Sequence, residues 1–268
     1  MNIVVCIKQV PDWQTIRIDW RKMTVIREGV DSIINPLDYV ALEAALDLRR
    51  RAGGRVTAVS MGPPQSEGSL REALAAGADH GILLTDPAFA GSDTLATSHV
   101  LARAISKLRP LPDLVLCGMQ TIDSDTGHVG PQIAEELDLP QVCGVMEIHL
   151  EGDSLVVKRL NDGFLDTIRI TLPGLLSVNQ GVCCVTHLPL GGLELAFSQR
   201  SIAHWGLKEL GLSKEEVGVR GSATRVQRLH PPASDREGEL VSGSPQLLVD
   251  RLTHKLETLR ILDGKDGK

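Results

Sequence analysis

Through the first 140 residues of this chain the hydrophobic period switches back and forth between that of a buried strand and that of an amphipathic helix. Residues 3–7 form a continuous apolar run rich in β-branched side chains, the pattern of a strand covered on both faces. Residues 15–18 and 24–26 are short alternating pieces around the charged stretch 19–22, which predicts a hairpin excursion. Asn35, Pro36, Leu37 and Asp38 then spell a helix start: an Asn N-cap, Pro at the first position and an acid in the first turn. Leu37, Ala41, Ala44 and Leu48 share one face of that helix. Arg49, Arg50 and Arg51 close it near the negative end of its dipole, and Gly53 with Gly54 stops it.

The cycle repeats. Residues 55–60 read as a strand and 67–76 as a helix ended by Gly77. Residues 81–84 form a short strand, after which Ser92 is expected to cap a helix carrying Leu101, Ile105 and Leu108. A strand at 113–117 and a helix at 130–137 follow. Strands alternating with helices of this length imply parallel βαβ units, hence a doubly wound α/β fold with a mostly parallel, Rossmann-like sheet. Near Pro140 the pattern changes: 146–150, 155–160 and 165–171 alternate apolar and polar residues across turn signals at 151–153 and 161–163. That predicts an antiparallel hairpin extension, and residues 174–179 read as a further strand returning to the main sheet. From about Gly191 no βα rhythm survives, and residues 220–243 are polar and rich in Gly and Pro. Residues 244–262 fit a helix with Leu248, Leu252, Leu256 and Leu259 on one stripe, to be buried on its own domain or on a partner. The expected organisation is a nucleotide-binding α/β domain over residues 1–190 and a C-terminal arm over 191–268 with a partner-facing loop and terminal helix.

Composition narrows the classes of function. Three Trp, three Phe and one Tyr leave the core to Val, Ile, Leu and Ala and weaken any base-stacking role. With 28 Lys+Arg against 34 Asp+Glu the net charge is −6, the wrong sign for a nucleic-acid binder. No apolar run approaches the ~18 residues that span a bilayer. Five cysteines without a C-x-x-C pair, and an N-terminus lacking a basic region and cleavage site, point to a reducing compartment, with cytoplasm the expectation.

In an open α/β sheet the ligand lies beyond the carboxyl ends of the strands, where the strand order reverses. With the common order 3-2-1-4-5, that crevice falls between the first and fourth strands. Its walls are residues 6–11, Met61 with Gly62, and the loop 118–131, which is dense in hydroxyls and small residues and runs straight into a helix. A helix start offers unpaired N–H groups and a partial positive charge, which suits a phosphate. Gly127 and Gly130 would allow close backbone approach, with Thr126 and Ser124 as hydroxyl donors. The alternative is that Asp123, Ser124 and Asp125 only cap the helix and shape a turn. There is no G-x-x-x-x-G-K-[ST] loop, no G-x-G-x-x-G fingerprint, no H-x-x-x-H pair and no G-x-S-x-G elbow. Adjacent Cys183 and Cys184 have no partner at metal-ligand spacing and read as plain thiols. The residues describe a chain that holds a nucleotide and supplies no catalytic group.

Five blocks in order resemble the β (small) subunit of electron-transfer flavoproteins. They are residues 3–11, 34–45, 58–63, 71–79 and 118–131, spread over roughly residues 1–180. The resemblance implies a heterodimer with a larger α subunit that carries a redox FAD, while the small subunit holds either AMP or a second FAD. It implies nucleotide contacts at Cys6, Asn35 and Met61, and along Gln120, Thr121, Asp123, Asp125, Thr126, Gly127, His128, Val129 and Gly130. The stretch 125–131 and the helix start at Asp93, Thr94 and Thr97 look closer to the bifurcating and nitrogen-fixation-associated branch, which favours FAD over AMP. Such a subunit passes electrons between a donor, NADH or a dehydrogenase, and an acceptor such as a quinone-reducing partner, and oxidises NADH only together with the α subunit. The alternative is an AMP- or ATP-binding structural or sensing module without electron transfer. After residue 180 the family's lysine-rich partner loop is replaced by apolar residues, so partner identity does not carry over; Leu188 or Leu190 remain candidate anchors.

Overall fold

A computed structural model describes residues 1–12, 17–19, 24–26, 31–152, 154–183, 186–227 and 238–262, with 17–19 and 24–26 by backbone alone. Residues 15, 16, 19–22, 153 and 184 figure in the expectations above; of these all but Asp19 lie outside the described residues. The chain forms two compact units, 1–227 and 228–268.

The first unit opens with β1 (Asn2–Cys6), β2 (Gln9–Pro11), the antiparallel pair β3 (Arg17–Asp19) and β4 (Thr24–Ile26), and β5 (Ser32–Ile34) against β2. There follow α1 (Pro36–Ala52), β6 (Arg55–Met61), α2 (Glu67–Ala76), β7 (His80–Leu84), α3 (Thr94–Lys107), β8 (Leu114–Gly118) and α4 (Val129–Glu136). The meander is β9 (Gln141–Glu151), β10 (Ser154–Asn161) and β11 (Phe164–Thr171), and β12 (Gly174–Val178) returns to the centre. Last come α5 (Leu190–Ser198), β13 (Ile202–Trp205), α6 (Leu207–Leu210) and α7 (Gly218–Gly221).

The main sheet has nine strands in the order β11-β10-β9-β12-β8-β1-β6-β7-β13, parallel from β9 to β13 and antiparallel in the meander. Its centre, β7-β6-β1-β8, is the expected 3-2-1-4 sequence, so the order reverses between β1 and β8. The next place belongs to β12. The strand that follows α4, β9, stands one position further out, because it continues into the half-exposed meander while β12 is buried along its whole length. Two aliphatic layers cover the sheet. Val5, Leu42, Leu46, Leu70 and Leu74 pack on the α1/α2 face, and Val4, Val59, Val100, Ile105 and Ile133 on the α3/α4 face. This placement follows from right-handed crossovers that run to opposite sides of β1.

Beyond residue 190 the sheet still gains a strand. β13 pairs in parallel with β7 as a half-exposed edge, and Arg71 on α2 holds the segment before it by donating to the carbonyls of Ala196 (2.6 Å) and Arg200 (2.7 Å). The α3 start also differs from expectation. Asp93 is the cap, accepting from the Ala96 N–H at 3.0 Å, while the Ser92 hydroxyl turns back to the Phe89 carbonyl. Leu108 lies one residue past the helix end.

In the second unit, α8 (Pro245–Thr258) is capped by the Ser244 hydroxyl, and none of its residues is buried. Among the described residues, no helix is long and apolar enough to cross a membrane.

Candidate functional site

The carboxyl ends of β1 and β8 lie side by side, with Cys6 in register with Cys117. The first turn of α1 knits the chain leaving both strands. One oxygen of the buried Asp38 carboxylate accepts from the Lys8 N–H (2.9 Å) just after β1, and the other accepts from the Gly118 N–H (3.0 Å) at the end of β8. Burial pushes this carboxyl up to about 7, and the two N–H donors and the Asn35 amide hold it from rising further. Gly118 has to be glycine: a Cβ there would stand 2.4 Å from a carboxylate oxygen of Asp38 and 2.7 Å from the Leu37 carbonyl carbon.

Asn35 occupies the N-cap position of α1 but makes no capping bond with its side chain. Fully buried, its amide instead donates to the Gln120 carbonyl (2.9 Å) and accepts from the Ile122 N–H (3.1 Å). The residue expected as a local cap is a long-range staple on the loop after β8. Further along that loop, the Lys8 ammonium meets Asp123 at 2.5 Å. Burial works against ionisation of Asp123, yet Lys8 and the Thr121 hydroxyl hold its carboxyl below the usual range.

Thr121 shapes the next turn. Its hydroxyl lies 2.9 Å from that of Ser124 and its carbonyl accepts from the Asp125 N–H at 2.8 Å. Asp125 (φ 54°) and Gly127 (φ 66°) both adopt the left-handed conformation, which brings the chain into α4. None of Asp123, Ser124 or Asp125 caps that helix: His128 holds the N-cap position and makes no capping bond. Among the described residues, the N–H groups of Val129 and Gly130 in the first turn of α4 (Pro131 has none) have no side-chain acceptor, at the reversal point of the sheet. Gly130 also has a packing role. Its missing Cβ would lie 2.7 Å from the Cys117 sulfur, so packing of α4 on β8 demands the small residue there.

The remaining expected residues gather on the same edge. Met61 ends β6, half-buried. The Ser98 hydroxyl of α3 donates to Gln132 of α4 (3.3 Å), which sets the early turns of the two helices side by side. At the start of α3 one Asp93 oxygen caps the helix while the other accepts from the N–H and hydroxyl of Thr224. Asp93 is thereby committed within the chain. Burial pushes the Cys6 thiol up to about 12, the Asp38 carboxylate adding to the effect, and the Cys117 thiol is raised in the same way, so neither is a thiolate nucleophile at neutral pH. The residues missed from sequence are Lys8 and Asp38, whose partners lie 115 and 80 positions away.

A doubly wound α/β domain whose strand order reverses between β1 and β8 defines a class, the open α/β domains with a crevice at the topological switch. Comparison with known proteins narrows it. Residues 22–190 match the Electron transfer flavoprotein domain. The chain is 45% identical over 263 residues to the electron transfer flavoprotein subunit beta of Thermoanaerobacterium thermosaccharolyticum, covering 98% of this chain and 100% of that one. It is 43% identical to Protein FixA of Azorhizobium caulinodans (88% and 86% covered). It is 44% identical to the caffeyl-CoA reductase-Etf complex subunit CarD of Acetobacterium woodii (91% and 93% covered). The chain belongs to the electron transfer flavoprotein family, in its β-subunit branch.

Proposed function

We propose that this β subunit holds FAD in the crevice between β1 and β8 and works as half of a two-subunit electron carrier, with an α-subunit partner carrying a second FAD. The observation that carries the reading is the uncapped start of α4, at the end of a loop whose first residues are fixed at the reversal point by Asn35 and Asp38.

The residues fit a phosphate-bearing cofactor. The α4 amides meet the anionic part, Gly127 lets the backbone turn under it, and the exposed hydroxyls of Ser124 and Thr126 are placed to donate. Cys6, Met61 and the start of α3 flank the same edge. The cofactor, when bound, supplies the electron-carrying chemistry. The chain's own part is to bind and orient it: Asp38 and Asn35 fix the loop, and Lys8 neutralises Asp123 beside it. NADH or a dehydrogenase is the electron donor in this reading.

The test is the cofactor content of the purified αβ complex. Two flavins per complex are expected. One flavin with one released AMP would overturn the FAD assignment, and one flavin with no AMP would overturn the crevice itself. Thr126→Val is expected to lower retention far more than His128→Ala; equal retention in both would show that the loop is only a turn.

A further inference from the structure

At the amino edge of the sheet, the strands carry a second set of chemistry-bearing residues. The register pairs Asn2 with Arg55, Val4 with Thr57 and Thr57 with His80. Because side chains alternate along a strand, Asn2, Arg55, Thr57 and His80 share the face on which Val4, Val59 and Ile82 are buried beneath α3. But α3 ends at Lys107, and the chain passes over the strand starts through Leu108, Arg109 and Pro110. Between this connection and the sheet lies a cleft of about 130 Å³, lined by Arg55, Thr57, His80, Arg109 and Asn2 over a floor that includes Val4 and Ile82.

The charges here are one-sided. Among the described residues, no carboxylate lines the cleft. Asp113 is engaged by the Asn2 N–H (2.7 Å), and Asp79 by the Val56 N–H (2.8 Å) and Arg49 (2.9 Å). Arg55 and His80 make no side-chain hydrogen bond or ion pair within the described chain, in a protein whose net charge is −6. Arg109 is held in place through one nitrogen, which donates to the carbonyls of Ser106 (2.9 Å) and Leu108 (2.6 Å). A guanidinium has five N–H donors, so its outer edge keeps donors to spare.

We propose that this cleft is a binding site for a small oxyanion, a phosphate or carboxylate group, held by Arg55 and Arg109 with His80 and Thr57 completing the contacts. Two guanidinium groups with an imidazole and a hydroxyl over an apolar floor supply the donors that charge-assisted oxyanion recognition uses. The space equals roughly four waters at ~30 Å³ each, enough for a tetrahedral oxyanion. The site stands apart from the crevice at the carboxyl ends and does not depend on what that crevice holds.

The test titrates inorganic phosphate, and separately acetate, into the cofactor-loaded αβ complex, followed by calorimetry and by amide chemical shifts of the labelled β chain. Saturable binding by either ion is expected, with shifts clustered at residues 2–4, 55–57, 80–82 and 108–112. The tighter of the two ions identifies the ligand's group. Arg55→Gln and His80→Gln should each weaken binding about tenfold while nucleotide content and thermal midpoint stay at the wild-type level. Absence of saturable binding, shifts confined to residues 118–130, or affinity unchanged in Arg55→Gln would overturn the proposal.

Discussion

At the carboxyl edge of the sheet, Asn35 and Asp38 reach from the start of α1 to backbone groups of the chain leaving β1 and β8; at the amino edge, the side chains of Arg55 and His80 make no hydrogen bond or ion pair within the described chain. Both edges belong to the same strands, and both are places where helices stop covering the sheet. One edge spends buried side chains on fixing backbone donors, so its chemistry is that of oriented amides. The other presents side-chain cations directly. Rigidity is therefore expected to matter at the first edge and charge at the second, and substitutions separate the two.

The largest effect is expected from Gly118→Ala. The new methyl would enter the Asp38 carboxylate and the α1 backbone, where nothing flexible can yield, costing about 3 kcal/mol or more in urea unfolding. A near-neutral result would mean that the seam between α1 and β8 is loose.

Asp38 gives a pH signature. Its folded value is raised from 3.8 to about 7, so over that interval the folded chain keeps a proton that the unfolded chain has released. The stability from this group is full below the interval and lost as pH rises through it. Compared with Asp38→Asn, the wild type should lose about 3 kcal/mol between about pH 4 and about pH 7. A difference that stays flat with pH would show that Asp38 does not titrate there.

Asn35→Ala leaves the Gln120 carbonyl and the Ile122 N–H without their partner, an expected cost of about 2 kcal/mol together with loss of bound nucleotide. Gly130→Ala is expected to cost about 1 kcal/mol, relieved when Cys117→Ala makes room for the methyl. A double-mutant cycle without coupling would mean that Gly130 serves the ligand side instead. Smallest of all, Arg55→Gln should change stability by no more than about 0.5 kcal/mol; a larger loss would make the amino edge structural as well.

The alternation of strands and helices was legible because each strand is a short β-branched run, each helix has a 3.6-residue stripe, and Gly or Pro separates them; the order was taken from the common doubly wound arrangement, which the centre 3-2-1-4 matches. The crevice followed from that order. What stayed hidden depends on contacts the local pattern does not contain. Asn35 reads as a cap from its neighbours, yet its side-chain partners lie 85 and 87 residues away. Ser92 and Asp93 are adjacent and both suit a cap, and only the fold engages Ser92 with Phe89 and Gly218. β13 is a four-residue edge with two exposed positions, too weakly apolar to announce itself. The amino-edge cluster did leave a trace: Asn2, Arg55 and His80 each open a strand, and strand parity alone places them on one face.

The most direct test of the carboxyl-edge account is the flavin content of purified αβ complexes of the wild type, Asn35→Ala and Arg55→Gln. The account predicts two flavins per αβ complex, one of them from the β chain, in the wild type and in Arg55→Gln, and a clear fall toward one in Asn35→Ala. Full flavin content in Asn35→Ala would contradict it.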